Sequence, residues 1–244
     1  MKFMEGVGYT YEAKFLSESR PLFEGAISLD TQFAAAYGRL AYTHLMDVWW
    51  APSTSRSESF RKGFESVEKC ISIDDSQAFC HAMMGQFYLM RREYDRAIAE
   101  GGRAATLNPN DTWVAVWYGM TLRSVGRYEE AISILQRVIR LDPFNTGFPL
   151  FHLGSTYLLM RRHEDAIEEY NKALKLNPKI FNAYVGLTAA YSSLERMDEA
   201  RSAASELLKL HPTFSLVDFE KTLPYKNQAD TEFMVKALKK AGLQ

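Results

Sequence analysis

Met84-Gly85-Gln86-Phe87-Tyr88-Leu89-Met90-Arg91-Arg92 and Leu153-Gly154-Ser155-Thr156-Tyr157-Leu158-Leu159-Met160-Arg161-Arg162 share one design. Each opens with a large residue, then glycine, then tyrosine three residues later, and each ends in Leu-Met-Arg-Arg. The likeness extends into columns. Pro109, Pro143, Pro178 and Pro212 are separated by 34, 35 and 34 residues. Ala97, Ala131, Ala166 and Ala200 keep those separations, as do Gly85, Gly119, Gly154 and Thr188, and Tyr88, Leu122, Tyr157 and Tyr191. Four columns in one register across four units define an internal repeat, and a period in this range marks a stacked array.

Each unit reads as two helices. In the first, a small residue between large ones cuts a notch that lets a neighbouring helix come close. In the second, Ala97, Ala131, Ala166 or Ala200 is followed seven residues later by Ala104, Val138, Ala173 or Leu207, on nearly the same helix face. Charged residues and glycine between the two suit a solvated turn. The proline lacks an N–H and clashes with the preceding turn, so it ends the second helix.

These columns resemble the tetratricopeptide repeat, a helix pair of 34 residues with small and large residues alternating in helix A, alanine in helix B and a closing proline. The resemblance implies an all-α fold, a right-handed α-solenoid of antiparallel helix pairs with a C-terminal capping helix. It covers residues 78–212 most fully. Upstream, Ala26-Ile27-Ser28-Leu29-Asp30 matches Cys70-Ile71-Ser72-Ile73-Asp74 at a separation of 44. The second unit therefore carries about ten extra residues against the usual period. They fall between Leu45 and Phe60, where Val48-Trp49-Trp50-Ala51-Pro52 breaks the helical pattern. The expected organisation is an atypical N-terminal repeat or cap over 1–30, a repeat with this insertion over 31–77, and repeats over 78–111, 112–146, 147–180 and 181–214. Capping helices fill 215–244, with Asn227 opening a last helix that Gly242 ends.

Composition narrows the function. With 29 basic and 30 acidic side chains the net charge is −1, which disfavours binding driven by nucleic-acid phosphates or anionic lipid. No apolar run reaches membrane-spanning length, and Met1–Gly6 does not read as a signal peptide. Cys70 and Cys80 fall in no paired motif and read as two reduced, buried thiols of a cytoplasmic protein. His44, His81, His152, His163 and His211 show no metal-ligand spacing, and Gly101-Gly102 is no phosphate loop. Catalytic residues, metal and cofactor are accordingly expected to be absent.

Tetratricopeptide geometry places helix A on a concave face. The expected partner-binding groove then holds Tyr42, Phe79, Gln86, Leu89, Trp113, Met120, Arg123, Phe148, Phe151, Ser155, Leu158 and Asn182, with Ala189 beside them. This mostly apolar set suits anchoring a peptide or helix of a protein partner. The Lys, Asn and Arg clamp of co-chaperones that hold a C-terminal carboxylate is missing, since residues such as Gly38, Tyr42, Gln86, Trp113 and Phe148 occupy such positions. Trp49 and Trp50 are expected to fold back over the gap left by the insertion.

The C-terminal run Leu223-Pro224-Tyr225-Lys226-Asn227 through Leu243, with Ala26–Tyr37, also resembles the repeat region of bacterial class III adenylate cyclases. No cyclase domain is present, so the resemblance implies only an accessory region. Related regions follow winged-helix domains. A further expectation is a dimerising module, monomer or homodimer, using Phe3, Met4, Tyr9 and Tyr11.

Overall fold

The computed structural model describes the backbone of residues 9–50 and 56–244, with side chains over 18–49 and 56–244. All described secondary structure is helical. The chain divides into two compact units, Thr10–Thr121 and one containing Leu122–Gln244. The first holds α1 (Tyr9–Leu29), α2 (Ala34–Trp50), α3 (Arg56–Ile73), α4 (Ala78–Met90), α5 (Tyr94–Leu107) and the start of α6 (Thr112–Ser124). The second holds the end of α6, α7 (Tyr128–Leu141), α8 (Gly147–Leu159), α9 (His163–Leu176), α10 (Phe181–Ser193), α11 (Met197–Leu210), α12 (Leu216–Thr222) and α13 (Gln228–Lys240).

From α4 to α11 the helices alternate between 13 and 14 residues. One turn recurs between the helices of each pair. Arg92, Gly126, Arg161 and Glu195 all have φ between 60° and 87°. The next residue's N–H reaches back to the tyrosine or leucine column: Glu93 to the Tyr88 carbonyl, Arg127 to Leu122, Arg162 to Tyr157 and Arg196 to Tyr191, at 2.8–3.0 Å. This is a Schellman closure, which satisfies carbonyls the helix end would leave open. The other end of each pair is set by proline. Asn108, Asp142, Asn177 and His211 are driven out of helical geometry, with ψ between 77° and 99°, because a following proline disfavours the α region.

The small columns bring backbones together. Ala97, Ala131, Ala166 and Ala200 are all 0% exposed. A Cβ on Gly85 would stand 3.2 Å from the Ala97 carbonyl, and one on Gly154 would stand 3.2 Å from the Ala166 carbonyl. Between pairs, Tyr170 of α9 reaches α10 at Gly186, where a Cβ would lie 2.2 Å from the ring.

The ten extra residues lengthen helices. α2 has 17 residues and α3 has 18, four more each than α4 and α5. The linker 51–55 is two longer than 91–93. Val48, Trp49 and Trp50 therefore continue α2, a correction to the reading that they break it; Trp50's side chain and Ala51–Ser55 lie outside the described residues. Trp49 does fold back, stacking on Trp117 at 5.7 Å.

Cys70 and Cys80 are joined in a disulfide. This overturns the expectation of two reduced thiols, and with it the compositional argument for a reducing compartment. The turn after α3 folds α4 back, so residues without a paired-cysteine spacing meet in the core beside Gly38. Among the described residues no helix is long and apolar enough to cross a membrane.

At the C-terminus, Asn227 accepts from the Ala229 N–H as an N-cap, and Gly242 ends the chain's last helix with φ +95°. The segment does more than close the last pair. The Lys226 N–H bonds the Ser124 carbonyl at 2.8 Å. Asp230 accepts from the Tyr128 hydroxyl at 2.5 Å and from Arg161 at 3.1 Å, Phe233 lies beneath the Arg161 guanidinium, and Lys240 pairs with Glu195. α13 thus crosses the turns of three successive pairs while packing on α10.

Replacing Ala166 with leucine should overfill the α8–α9 contact and lower unfolding free energy by about 1–3 kcal/mol. Urea denaturation measures it; a loss of only a few tenths would place the column elsewhere.

Candidate protein-binding surface

In the first unit an aromatic patch forms where α2, α4 and α6 present their side chains. Trp117 is its hub, 2% exposed. Trp113 stacks on it at 6.3 Å, one helical turn earlier on the same face. Tyr42 meets it edge-on at 6.2 Å and meets Phe79 at 6.3 Å. The Arg39 guanidinium lies 4.1 Å over the Phe79 ring, a cation–π contact. Tyr42, Phe79 and Trp113 are half-buried, so part of each ring faces outward.

Three of the expected groove residues belong to the packing instead. Gln86, Leu89 and Leu158 are each 1% exposed. The Gln86 amide donates to the Trp117 carbonyl and the Thr121 hydroxyl at 3.0 Å, tying α4 to α6. The reason is geometric: each helix A is covered by its own helix B and by the next pair, so only a narrow stripe stays open. Met120 lies at the margin of burial, and Ala189 is fully covered.

In the second unit the patch has a polar centre. Phe148, Phe151 and Ser155 of α8 and Asn182 of α10 are half-buried. His152 sits among them, its ring 4.3 Å from Phe148 and 4.6 Å from Phe151. Behind Phe151 lies Tyr170, whose hydroxyl donates to Ser155 at 3.2 Å. Arg123, at the end of α6, donates to His152 Nδ1 at 3.0 Å. Arg123 is 8% exposed and His152 only 3%. Burial holds the His152 imidazole well below its ordinary value, and the Arg123 charge adds to this. Burial likewise raises the phenols of Tyr170 and Tyr225.

His81 in the first unit is the electrostatic opposite. Burial presses its imidazole down, but hydrogen bonds to Glu100 at 2.6 Å and to the Asp75 carbonyl at 2.9 Å outweigh that and raise it. Both its nitrogens face acceptors; His152 faces a cation.

Sequence reasoning named Arg123, Phe148 and Phe151 but missed Trp117, His152 and Tyr170. Helical spacing held the signal for two of them, since Trp117 follows Trp113 by four residues and His152 follows Phe148 by four. Among the described residues no group of three or more His, Cys, Asp or Glu is placed to hold a metal ion.

Comparison with known proteins gives this surface its setting. Residues 110–179 match one model of the tetratricopeptide repeat, and residues 151–213 match another. The chain is 25% identical over 162 residues to Hsp70-Hsp90 organizing protein 2 of Arabidopsis thaliana, an alignment covering 66% of this chain and 26% of that protein. Its fold is similar to that of Pseudomonas aeruginosa pilF, with a TM-score of 0.60 at 19% identity, covering 84% of this chain and 88% of the other. It is similar also to the APC/C assembly Cut9–Hcn1, with a TM-score of 0.68 at 15% identity, covering 93% and 40%. The all-helical fold is thus that of tetratricopeptide solenoids, and the matches support reading the chain as a tetratricopeptide-repeat protein. The chain spans between 12% and 33% of the length of curated relatives that it matches.

The His152 environment has a pH signature. A depressed imidazole leaves the folded state neutral while the unfolded chain takes up a proton below its ordinary value of 6.5, so stability falls as the solution is acidified through that range. In His152→Asn this contribution disappears. Thermal melts from pH 7.5 to pH 5 should show a smaller loss in the variant than in the wild type; parallel curves would contradict the assignment.

Proposed function

We propose that this chain is a non-catalytic scaffold whose helix-A faces take up a peptide or helix of a protein partner. The observation that carries the reading is the pair of partly open aromatic patches, Tyr42, Phe79 and Trp113 in the first unit and Phe148 and Phe151 in the second. Aromatic anchors set in packed surroundings are what binding hot spots are made of. Tetratricopeptide proteins in general mediate protein–protein interactions, which supports the same reading. The resemblance of the C-terminal run to the repeat region of bacterial cyclases supports a setting as the accessory region of a bacterial signalling protein.

A photo-crosslinking residue tests where partners dock. Placed at Trp113 or Phe148 it should give discrete protein adducts in cells, while at Glu129 or Glu168 on the outer helices it should give none. Adducts equal at inner and outer positions would overturn the inner-face reading.

A second reading is favoured by α1. Leu22 and Leu29 are 71% and 91% exposed, apolar surface of the kind that marks association. In this reading α1 pairs two copies of the chain, making it an architectural module of a cyclase or winged-helix regulator; Phe3 and Met4, and the side chains of Tyr9 and Tyr11, on which the sequence places this role, lie outside the described residues. Light scattering should then give a dimer for the wild type and a monomer for Leu22→Glu/Leu29→Glu. A monomeric wild type at high micromolar concentration would rule it out.

A further inference from the structure

The polar centre of the second unit holds one charge too many. Arg123 is a guanidinium, protonated at any physiological pH, and it is nine-tenths buried. Its partner is His152, to which it donates. Among the described residues no carboxylate lies within ion-pairing distance of it, although the same unit pairs Arg127, Arg161, Arg162, Arg196 and Arg201 with acids.

The hydrogen-bond accounting sharpens the imbalance. Because Arg123 donates to Nδ1, that nitrogen must accept, and the His152 proton sits on Nε2. Nε2 is buried without a partner, and so is Arg123 Nε. The pair therefore leaves two fully buried N–H donors unmatched and offers no unused acceptor, around a net positive charge. His163 also has a buried unpartnered nitrogen, and Ser192 and Thr231 have unpartnered hydroxyls, but none of them brings a formal charge. The phenols of Tyr170 and Tyr225 stay neutral in their buried setting and do not offset the charge. Two donors around a buried cation call for an anionic acceptor, and a carboxylate matches a guanidinium best. The rim selects its neighbours: Phe148 and Phe151 flank His152 and are half-buried.

We propose that Arg123 and His152 form a subsite for one Asp or Glu side chain of a partner segment, set beside an apolar side chain that lies against Phe148 and Phe151. This rests on the reading of the chain as a peptide-binding scaffold and adds the chemistry the partner must present. It differs from the Lys, Asn and Arg clamp that the sequence lacks, because the group recognised is a side-chain rather than a terminal carboxylate and a single buried arginine backed by a neutral histidine receives it.

The test is selection of a random dodecamer peptide library on the wild-type chain and on Arg123→Met, whose folding is checked by circular dichroism. The expected result is a wild-type pool with an acidic residue fixed beside an apolar one, a preference absent from the Arg123→Met pool. For a synthetic peptide from the first pool, Glu→Gln should weaken binding to the wild type tenfold or more, and binding to Arg123→Met less than twofold. The peptide substitution keeps the test valid even if Arg123→Met folds poorly. A selected pool with no common acid would overturn the subsite while leaving peptide binding in place. Loss of affinity on amidation of the peptide terminus, with Glu→Gln silent, would overturn the side-chain assignment. A library from which nothing is enriched would overturn the peptide-binding reading itself, and the subsite with it.

Discussion

The structure depends on how closely two backbones can approach. In the α4–α5 and α8–α9 pairs, helix A carries glycine where helix B carries alanine, and an added Cβ would stand 3.2 Å from the opposing carbonyl. That contact sets the spacing within a pair, and spacing fixes everything placed on the outside of it. Interiors this dense leave little freedom to relax. The recurrence of 13- and 14-residue helices from α4 to α11 keeps the turn and the proline of each of these pairs in line with those of its neighbours.

Fixed spacing also decides what helix A can offer a partner. With helix B on one side and the next pair on another, most of its surface is spent on packing, and a narrow stripe stays open. Aromatic residues suit such a stripe, because one flank of a ring can be buried while the other remains exposed. Polar residues fare differently. Those beside the stripe bond their neighbours and still leave atoms unmatched: Gln86 donates to α6 while its Oε1 stays without a partner, and Arg123 and His152 bond each other while each keeps one buried N–H unused. Histidine shows both outcomes: His81 between two acceptors is raised, and His152 beside a cation is lowered.

The repeat was legible in the sequence because its determinants are local. Glycine, alanine and proline columns each act through backbone geometry at their own position, and Asn227 and Gly242 act on a single helix end. What could not be read depends on contacts distant along the chain. The Cys70–Cys80 bond follows from where α4 lands after its turn, and no spacing rule encodes that. Gln86, Leu89 and Leu158 were placed by a template that gives the direction of a side chain but not the depth of its neighbours. The Trp-Trp pair reads from the sequence as a break, because a proline two residues later masks how far α2 continues.

The path of α13 has a mechanical consequence. A stack of hairpins joined only to nearest neighbours behaves as a spring, able to open or tighten by small rotations at each junction. A helix fastened along one side of such a stack, through Tyr128, Arg161 and Glu195 in turn, converts that spring into a braced beam. The spacing of the pairs in the second unit is then held by the folded chain itself, so a segment docking as proposed would meet a jig of settled dimensions and would itself supply the adjustment.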